Sequence, residues 1–310
     1  MKIFIGYFRD HFTKEFHLIS HLVILLFIGI SITLNYTFDI YPKHFRVSNY
    51  SEVGALKLWG MFAFAFLIPI LILSVFKKEN HANFTTSYIL LGLLGLLFVT
   101  IDSSYYLIKY GRQLISIEQP GYNYVYKLMA NGISLFTIII PCFIVYIFVK
   151  KFKPELYGLR LSGANIKPYL WLIALMVPVV VVASLFDGDL LAYYPTYNAT
   201  SASTFPYSNW IKIIIYEFFY GFDFISVELL FRGFMVVALS KFVGKHAILP
   251  MVCCYVFLHF GKPMMETIGS IFGGFALGIL AYKSRNIYGG LIVHLGVAWT
   301  MEFVAFAFMK

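Results

Sequence analysis

Apolar runs of about twenty residues recur along this chain, and that repetition constrains the fold more than any other feature. A helix needs about 20 mostly apolar residues to cross the hydrocarbon of a bilayer, because each residue advances it about 1.5 Å. About nine such runs can be marked, at 16–36, 55–76, 85–108, 128–149, 168–186, 207–241, 246–260, 264–283 and 286–309. The sixth is overlong and reads as tilted or broken. The seventh is short for a lipid-facing span and reads as lying inside the bundle. Composition agrees: 60% of the 310 residues are hydrophobic and 13% charged, against about 45–50% and about 25% in a soluble domain. Too few polar side chains remain to cover a water-facing surface. A soluble enzyme, a disordered chain and a nucleic-acid binder are excluded, and the expected fold class is an all-α, polytopic membrane bundle whose first partner is the lipid bilayer.

The net charge of +9 fits cationic loops on the cytoplasmic side of a membrane. With the N-terminus inside, fourteen Lys and Arg fall on the cytoplasmic side (Lys2, Arg9, Lys14, Lys77, Lys78, Lys150, Lys151, Lys153, Arg160, Lys167, Lys241, Lys245, Lys283, Arg285). Nine fall opposite (Lys43, Arg46, Lys57, Lys109, Arg112, Lys127, Lys212, Lys262, Lys310), and Arg232 sits within a span. The stretch 187–209 has no Lys or Arg and reads as external, with its tyrosines lying on the headgroups. The C-terminus is then outside. Charges from Lys2 to Glu15 run up to the first span, which reads as a signal anchor rather than a cleaved peptide. Cys142, Cys253 and Cys254 lie in apolar runs without CxxC spacing, which argues against a disulfide framework or a structural zinc site.

The chain divides in quality. Residues 1–153 hold about four spans with few ionisable residues in their interiors, and a basic connector, 150–167, leads into about five spans over 154–310. The second part carries Glu217, Asp223, Glu228, Arg232, His259, Glu266, His294 and Glu302 within its spans. Ionisable groups inside a bilayer are costly, which makes them functional candidates. Counting from the nearest cytoplasmic end, Glu228 and His259 lie ~20 Å deep, His294 ~12 Å, and Glu266 and Glu302 roughly 24–26 Å. Residues from four helices thus share one broad layer. Glu228 and Arg232 are four apart with the glutamate first, the favourable order for a same-face ion pair. Glu266 and Glu302 lie nearer the outer helix ends and rank as secondary candidates, with a structural or solvated role as the simpler reading. Ser270, Gly274 and Gly278 form a small-residue face that permits close helix packing.

One carboxylate and two imidazoles can activate a water and stabilise an oxyanion. They can alternatively ligate zinc, leaving a fourth position open. HExxH spacing is absent, no serine lies in an elbow motif, and no cysteine is paired with a polar base. Hydrolysis by a Glu-activated water is the best-supported reaction. No cofactor is expected, because Arg232, always protonated, puts positive charge beside Glu228 where a zinc ion would sit.

At these residues the sequence resembles the CPBP family of intramembrane proteases, which groups CAAX prenyl endopeptidases with bacteriocin-processing and immunity proteins. Against the family's EExxxR, the chain reads Val227, Glu228, then Arg232; against FxxxH, Tyr255 and His259; against HxxxN or HxxxD, His294 and Ala298. The step Tyr157-Gly158-Leu159-Arg160 also looks like the family's lead into its core, so the resemblance spans 157–310. It implies an all-helical fold with a cavity open to the membrane, cleavage of a peptide or membrane protein near the bilayer surface, and residence in a bacterial inner membrane. It does not imply prenylated substrates. The implied catalytic residues are Glu228, His259 and His294, with Arg232 supporting Glu228. The family's first glutamate is Val227 here and its closing Asn or Asp is Ala298. Those two departures favour the alternative expectation, an inactive relative that binds a peptide or partner helix in the same cavity.

Overall fold

The computed structural model describes residues 2–46, 51–76, 83–105, 108, 117–160, 166–186 and 188–308. Lys77, Lys78, Lys109, Arg112, Asp187 and Lys310, used above for the topology, and 161–165 of the connector lie outside the described residues. All regular structure among the described residues is helical. The chain is an integral membrane protein. Its helices are α1 (Lys2–Lys14), α2 (Leu18–Phe38), α3 (Glu52–Val75), α4 (Thr86–Ser103), α5 (Gly121–Phe148) and α6 (Lys167–Phe186). They are followed by α7 (Asn209–Glu228), α8 (Ile248–Leu258), α9 (Met264–Ser284) and α10 (Tyr288–Phe308). Ser51, Thr85 and Ser208 cap α3, α4 and α7 by accepting from the N–H of Gly54, Tyr88 and Ile211, a stabilising contact at a helix start.

Seven helices among the described residues are long and apolar enough to cross a membrane: α2, α3, α4, α5, α6, α9 and α10. The other two runs marked in the sequence take different forms. The overlong one is α-helical to Glu228 and then π-helical over Leu229–Ala238, where Leu239 N–H bonds to Phe234 O. The short one is α8, 11 residues long, or ~16 Å. Every residue of the π segment is buried, and so are nine of α8. These two elements form the centre of the bundle. Outward faces are apolar too: Leu22, Leu26 and Ile30 of α2, Trp171, Leu175 and Val182 of α6, and Phe303 and Phe306 of α10 are exposed. Such faces suit lipid and would be costly in water.

One core joins both parts of the chain. Ile24, Phe62, Phe66 and Leu96 pack in the same cluster as Leu230, Phe234, Met251 and Val256. Close approach is made possible by glycine: a Cβ on Gly95 of α4 would lie 2.8 Å from the Phe234 ring. At one end, α1 is pinned to α9. Lys283 Nζ lies 2.5 Å from Asp10 Oδ2 and 2.6 Å from Glu15 Oε1, and Phe4 meets Tyr169 edge-on at 4.5 Å. Hydrogen bonds from Lys14 and Lys283 lower the Asp10 pKa to about 2. A depressed carboxyl favours the fold above its unfolded value and loses that support as pH falls through its folded one, so this contact is intact throughout neutral pH.

The connector aligns the helices that carry the site. Its Tyr157 is buried and donates from its hydroxyl to Cys142 O at 2.8 Å. Gly158 O accepts from Ile287 N–H at 3.2 Å, Leu159 O from the Tyr288 hydroxyl at 2.8 Å, and Arg160 O from Asn286 at 2.8 Å. Glu155 takes Arg285 at 2.8 Å and Lys241 as well. The start of α10 is thereby fixed against the far end of the π segment. Gly158 has φ +75°, and a Cβ there would lie 3.1 Å from Asn286 Cα and 3.2 Å from Arg285 O. Gly158→Ala should therefore cost about 1–2 kcal/mol from the left-handed backbone alone, with the crowding added. A lower apparent melting temperature of the purified protein in unchanged detergent is the expected result.

Candidate active site

The glutamate of the first motif stands where one helix geometry gives way to another. Glu228 is the last α-helical residue of α7, and Arg232 lies in the first turn of the π segment. In an i→i+5 ladder a separation of four is close to a full turn, so the two side chains share a face; such π turns are frequent at functional sites. Arg232 Nη1 lies 2.8 Å from Glu228 Oε1, and the two side chains are 1% and 0% exposed. The contact is one of charge: the N–H directions are poorly aligned, and none of the guanidinium nitrogens has a well-formed hydrogen bond among the described residues. The guanidinium instead lies over the Tyr255 ring, 4.3 Å from its centroid, an arrangement the ring quadrupole favours.

His294 of α10 joins this pair directly. Its Nδ1 lies 2.9 Å from Glu228 Oε1, its Nε2 lies 3.1 Å from the Tyr255 hydroxyl, and Phe224 packs edge-on against its ring at 4.5 Å. Glu228 Oε1 therefore takes both polar neighbours, and Oε2 is buried without a hydrogen-bond partner among the described residues. Opposite it, Gly290 of α10 leaves the necessary room, since a Cβ there would lie 2.6 Å from Oε2.

His259 closes α8, and its connection to Glu228 runs through Tyr255. Its Nδ1 bonds to the Tyr255 carbonyl at 2.8 Å, and the two rings meet at 4.6 Å. Its Nε2 faces Glu266 Oε1 at 3.9 Å. Thr267 donates to His259 O at 2.7 Å, and the Tyr36 hydroxyl of α2 lies 2.6 Å from Thr267 Oγ1, which fixes the turn between α8 and α9.

The secondary candidates separate. Glu266 belongs to the His259 side: Lys262 Nζ bonds it at 2.6 Å and the Tyr194 hydroxyl at 3.0 Å. Glu302 is held elsewhere, by Thr196 N–H at 3.0 Å and Thr196 Oγ1 at 2.5 Å. Neither is solvated; the Glu266 side chain is 10% exposed and Glu302 is 6% exposed. Asp223, of the same sequence layer, is bonded within its own helix by Ser226.

Part of the 187–209 stretch packs on the protein, while Tyr193 and Tyr207 stay exposed. Short helices span Gly188–Tyr193 and Ala199–Ala202, and Tyr194 is buried with Val180, Leu190, Met301 and Ala305. Nothing in a local pattern of tyrosines distinguishes a headgroup belt from a packed strap. Tyr255 is the other contributor that sequence reasoning passed over. Its position one helical turn before His259, with a hydroxyl where the second motif carries Phe, was the available signal.

The fold and this site define a class, a helical membrane protein with a buried glutamate, two histidines and an arginine drawn from three helices. Residues 208–300, from the cap of α7 to within α10, match the family model described as type II CAAX prenyl endopeptidase, Rce1-like. The match contains all three motifs, so the resemblance to the CAAX-protease group is borne out over the segment that builds the site. That family is one of CAAX-type intramembrane proteases and related proteins. No curated protein and no solved structure matches the chain.

Removing one member of a buried ion pair strands the other charge, at about 3–5 kcal/mol, whereas replacing both is far milder. Arg232→Met should therefore lower the apparent melting temperature of the purified protein much more than the double variant Glu228→Gln with Arg232→Met. Equal losses would show that the two charges are not coupled in the folded protein.

Proposed function

We propose that this protein is an intramembrane endopeptidase that cleaves a peptide or membrane-protein substrate with a water activated by Glu228. The observation that carries the reading is the division of one carboxylate. Oε1 is engaged by Arg232 and His294, which fixes the group, and Oε2 is the acceptor left over. A water donating to Oε2 gives up its proton as its oxygen bonds to the scissile carbonyl carbon. The carbonyl π pair moves to oxygen, and collapse of that oxyanion breaks the C–N bond, with the departing nitrogen taking the proton back. Arg232 holds Glu228 in place. The carbonyl of Tyr255 can only accept, so His259 Nδ1 carries a hydrogen and Nε2 of the neutral ring is an acceptor able to orient the water. General base catalysis of this kind contributes about 10²–10⁴ in rate.

The mechanism proposed is metal-free. What supports it is charge: the Glu228 carboxylate already lies beside a guanidinium, which stays protonated and would repel a dication at the same group. A second reading, a non-catalytic relative binding a peptide or partner helix, is favoured by the complete burial of Glu228 and Arg232 and by Val227 and Ala298. Purified protein in detergent or nanodiscs, given a quenched-fluorescence peptide library, decides between them. The hydrolase reading expects cleavage that falls at least about 100-fold in Glu228→Gln and persists with a zinc chelator present. Cleavage that survives Glu228→Gln sinks the assignment, and stoichiometric zinc lost on His259→Ala would restore the zinc mechanism.

For the membrane, we propose the bacterial inner membrane, with the N-terminus cytoplasmic and 188–208 outside. Ser203 in that segment is exposed, whereas Ser201 is 5% exposed and unsuited to labelling. Ser203→Cys, with Cys142, Cys253 and Cys254 replaced, should react with an impermeant thiol reagent in intact cells. Reaction only after lysis would reverse the orientation.

A further inference from the structure

We propose that Tyr255 is a positioning residue of the hydrolytic site, fixing the tautomer of both histidines, one through its hydroxyl and the other through its carbonyl. This rests on the hydrolase reading above and extends it to a residue whose side chain no motif position requires to be polar.

The argument begins with which atoms can donate. A carboxylate and a backbone carbonyl only accept. His294 Nδ1, at 2.9 Å from Glu228 Oε1, therefore carries the hydrogen of that bond, and His259 Nδ1 carries the one directed at Tyr255 O at 2.8 Å. In a neutral imidazole the second nitrogen is then an acceptor. His294 Nε2 accepts from the Tyr255 hydroxyl at 3.1 Å, which closes a chain from tyrosine through imidazole to carboxylate. Without that donor, Nε2 of a neutral His294 would be a buried acceptor without this partner, and a ring turned to present Nε2–H to Glu228 would no longer be disfavoured. The tyrosine cannot drift, because it is 4% exposed, with Arg232 over one part of its ring and Phe231 edge-on at 5.3 Å. Ala298, one turn beyond His294, is buried and supplies no hydrogen bond from its side chain. The polar contacts of the His294 ring come from α7 and α8.

Tyr255→Phe in the full-length protein separates the two contacts. It keeps the ring beneath Arg232 and the carbonyl that holds His259, and removes only the hydroxyl. With the peptide cleaved fastest by the wild type as probe, kcat should fall about 10- to 100-fold, as loss of alignment alone can cause, with KM unchanged. In protein with 15N-labelled histidine, the His294 nitrogen signals should move while those of His259 stay in place. Unchanged kcat with unchanged His294 signals overturns the proposal. So does a loss of kcat without any change at His294, or an equal change at both histidines, which would signify a general loosening. If the wild type cleaves no peptide, the hydrolase reading fails by itself, and the nitrogen signals still judge Tyr255: an unmoved His294 ends its assigned role.

Discussion

A buried charge must find its counter-charge, and in this molecule that requirement is concentrated at Glu228 and Arg232. Each alone would be costly in the interior of a membrane bundle. Together they need a helix that brings residues four apart onto one face, a close second helix to supply a hydrogen bond, and room for the free oxygen. The i, i+4 spacing of Glu228 and Arg232 meets the first need, His294 the second and Gly290 the third. The aromatic face of Tyr255 covers the guanidinium. Gly233, next along the chain, lets the carbonyl of Tyr157 approach, since a Cβ there would lie 2.8 Å from that oxygen. The connector and the ion pair are thus fitted to each other.

Much of this was legible beforehand because its causes are local or arithmetic. The Glu228–Arg232 pairing follows from spacing. The inward position of α8 follows from its shortness. The direct contact between Glu228 and His294 was not legible, since it depends on how α10 is rotated by the connector and the glycines at its start. α7 reads less plainly as a span than its neighbours, because it carries Lys212, Glu217 and Asp223 as well as Glu228. Tyr255 stands at a motif position, but a tyrosine within a buried apolar helix reads as packing until its hydroxyl has a visible partner.

The two departures from the family pattern are apolar in structure as well as in sequence. Val227 packs partly buried against the large core, and Ala298 is 1% exposed. One carboxylate oxygen of Glu228 serves both Arg232 and His294.

The segment between α6 and α7 has a mechanical consequence. Tyr194 donates to Glu266, which also holds Lys262 and faces His259, and Thr196 supplies the main donors of Glu302 on α10. Lifting this segment would strip hydrogen bonds from two largely buried carboxylates at once, on two different helices. Its movement is therefore not that of a free loop: it is opposed by a restoring force set by those carboxylates, and any displacement alters the field felt by His259.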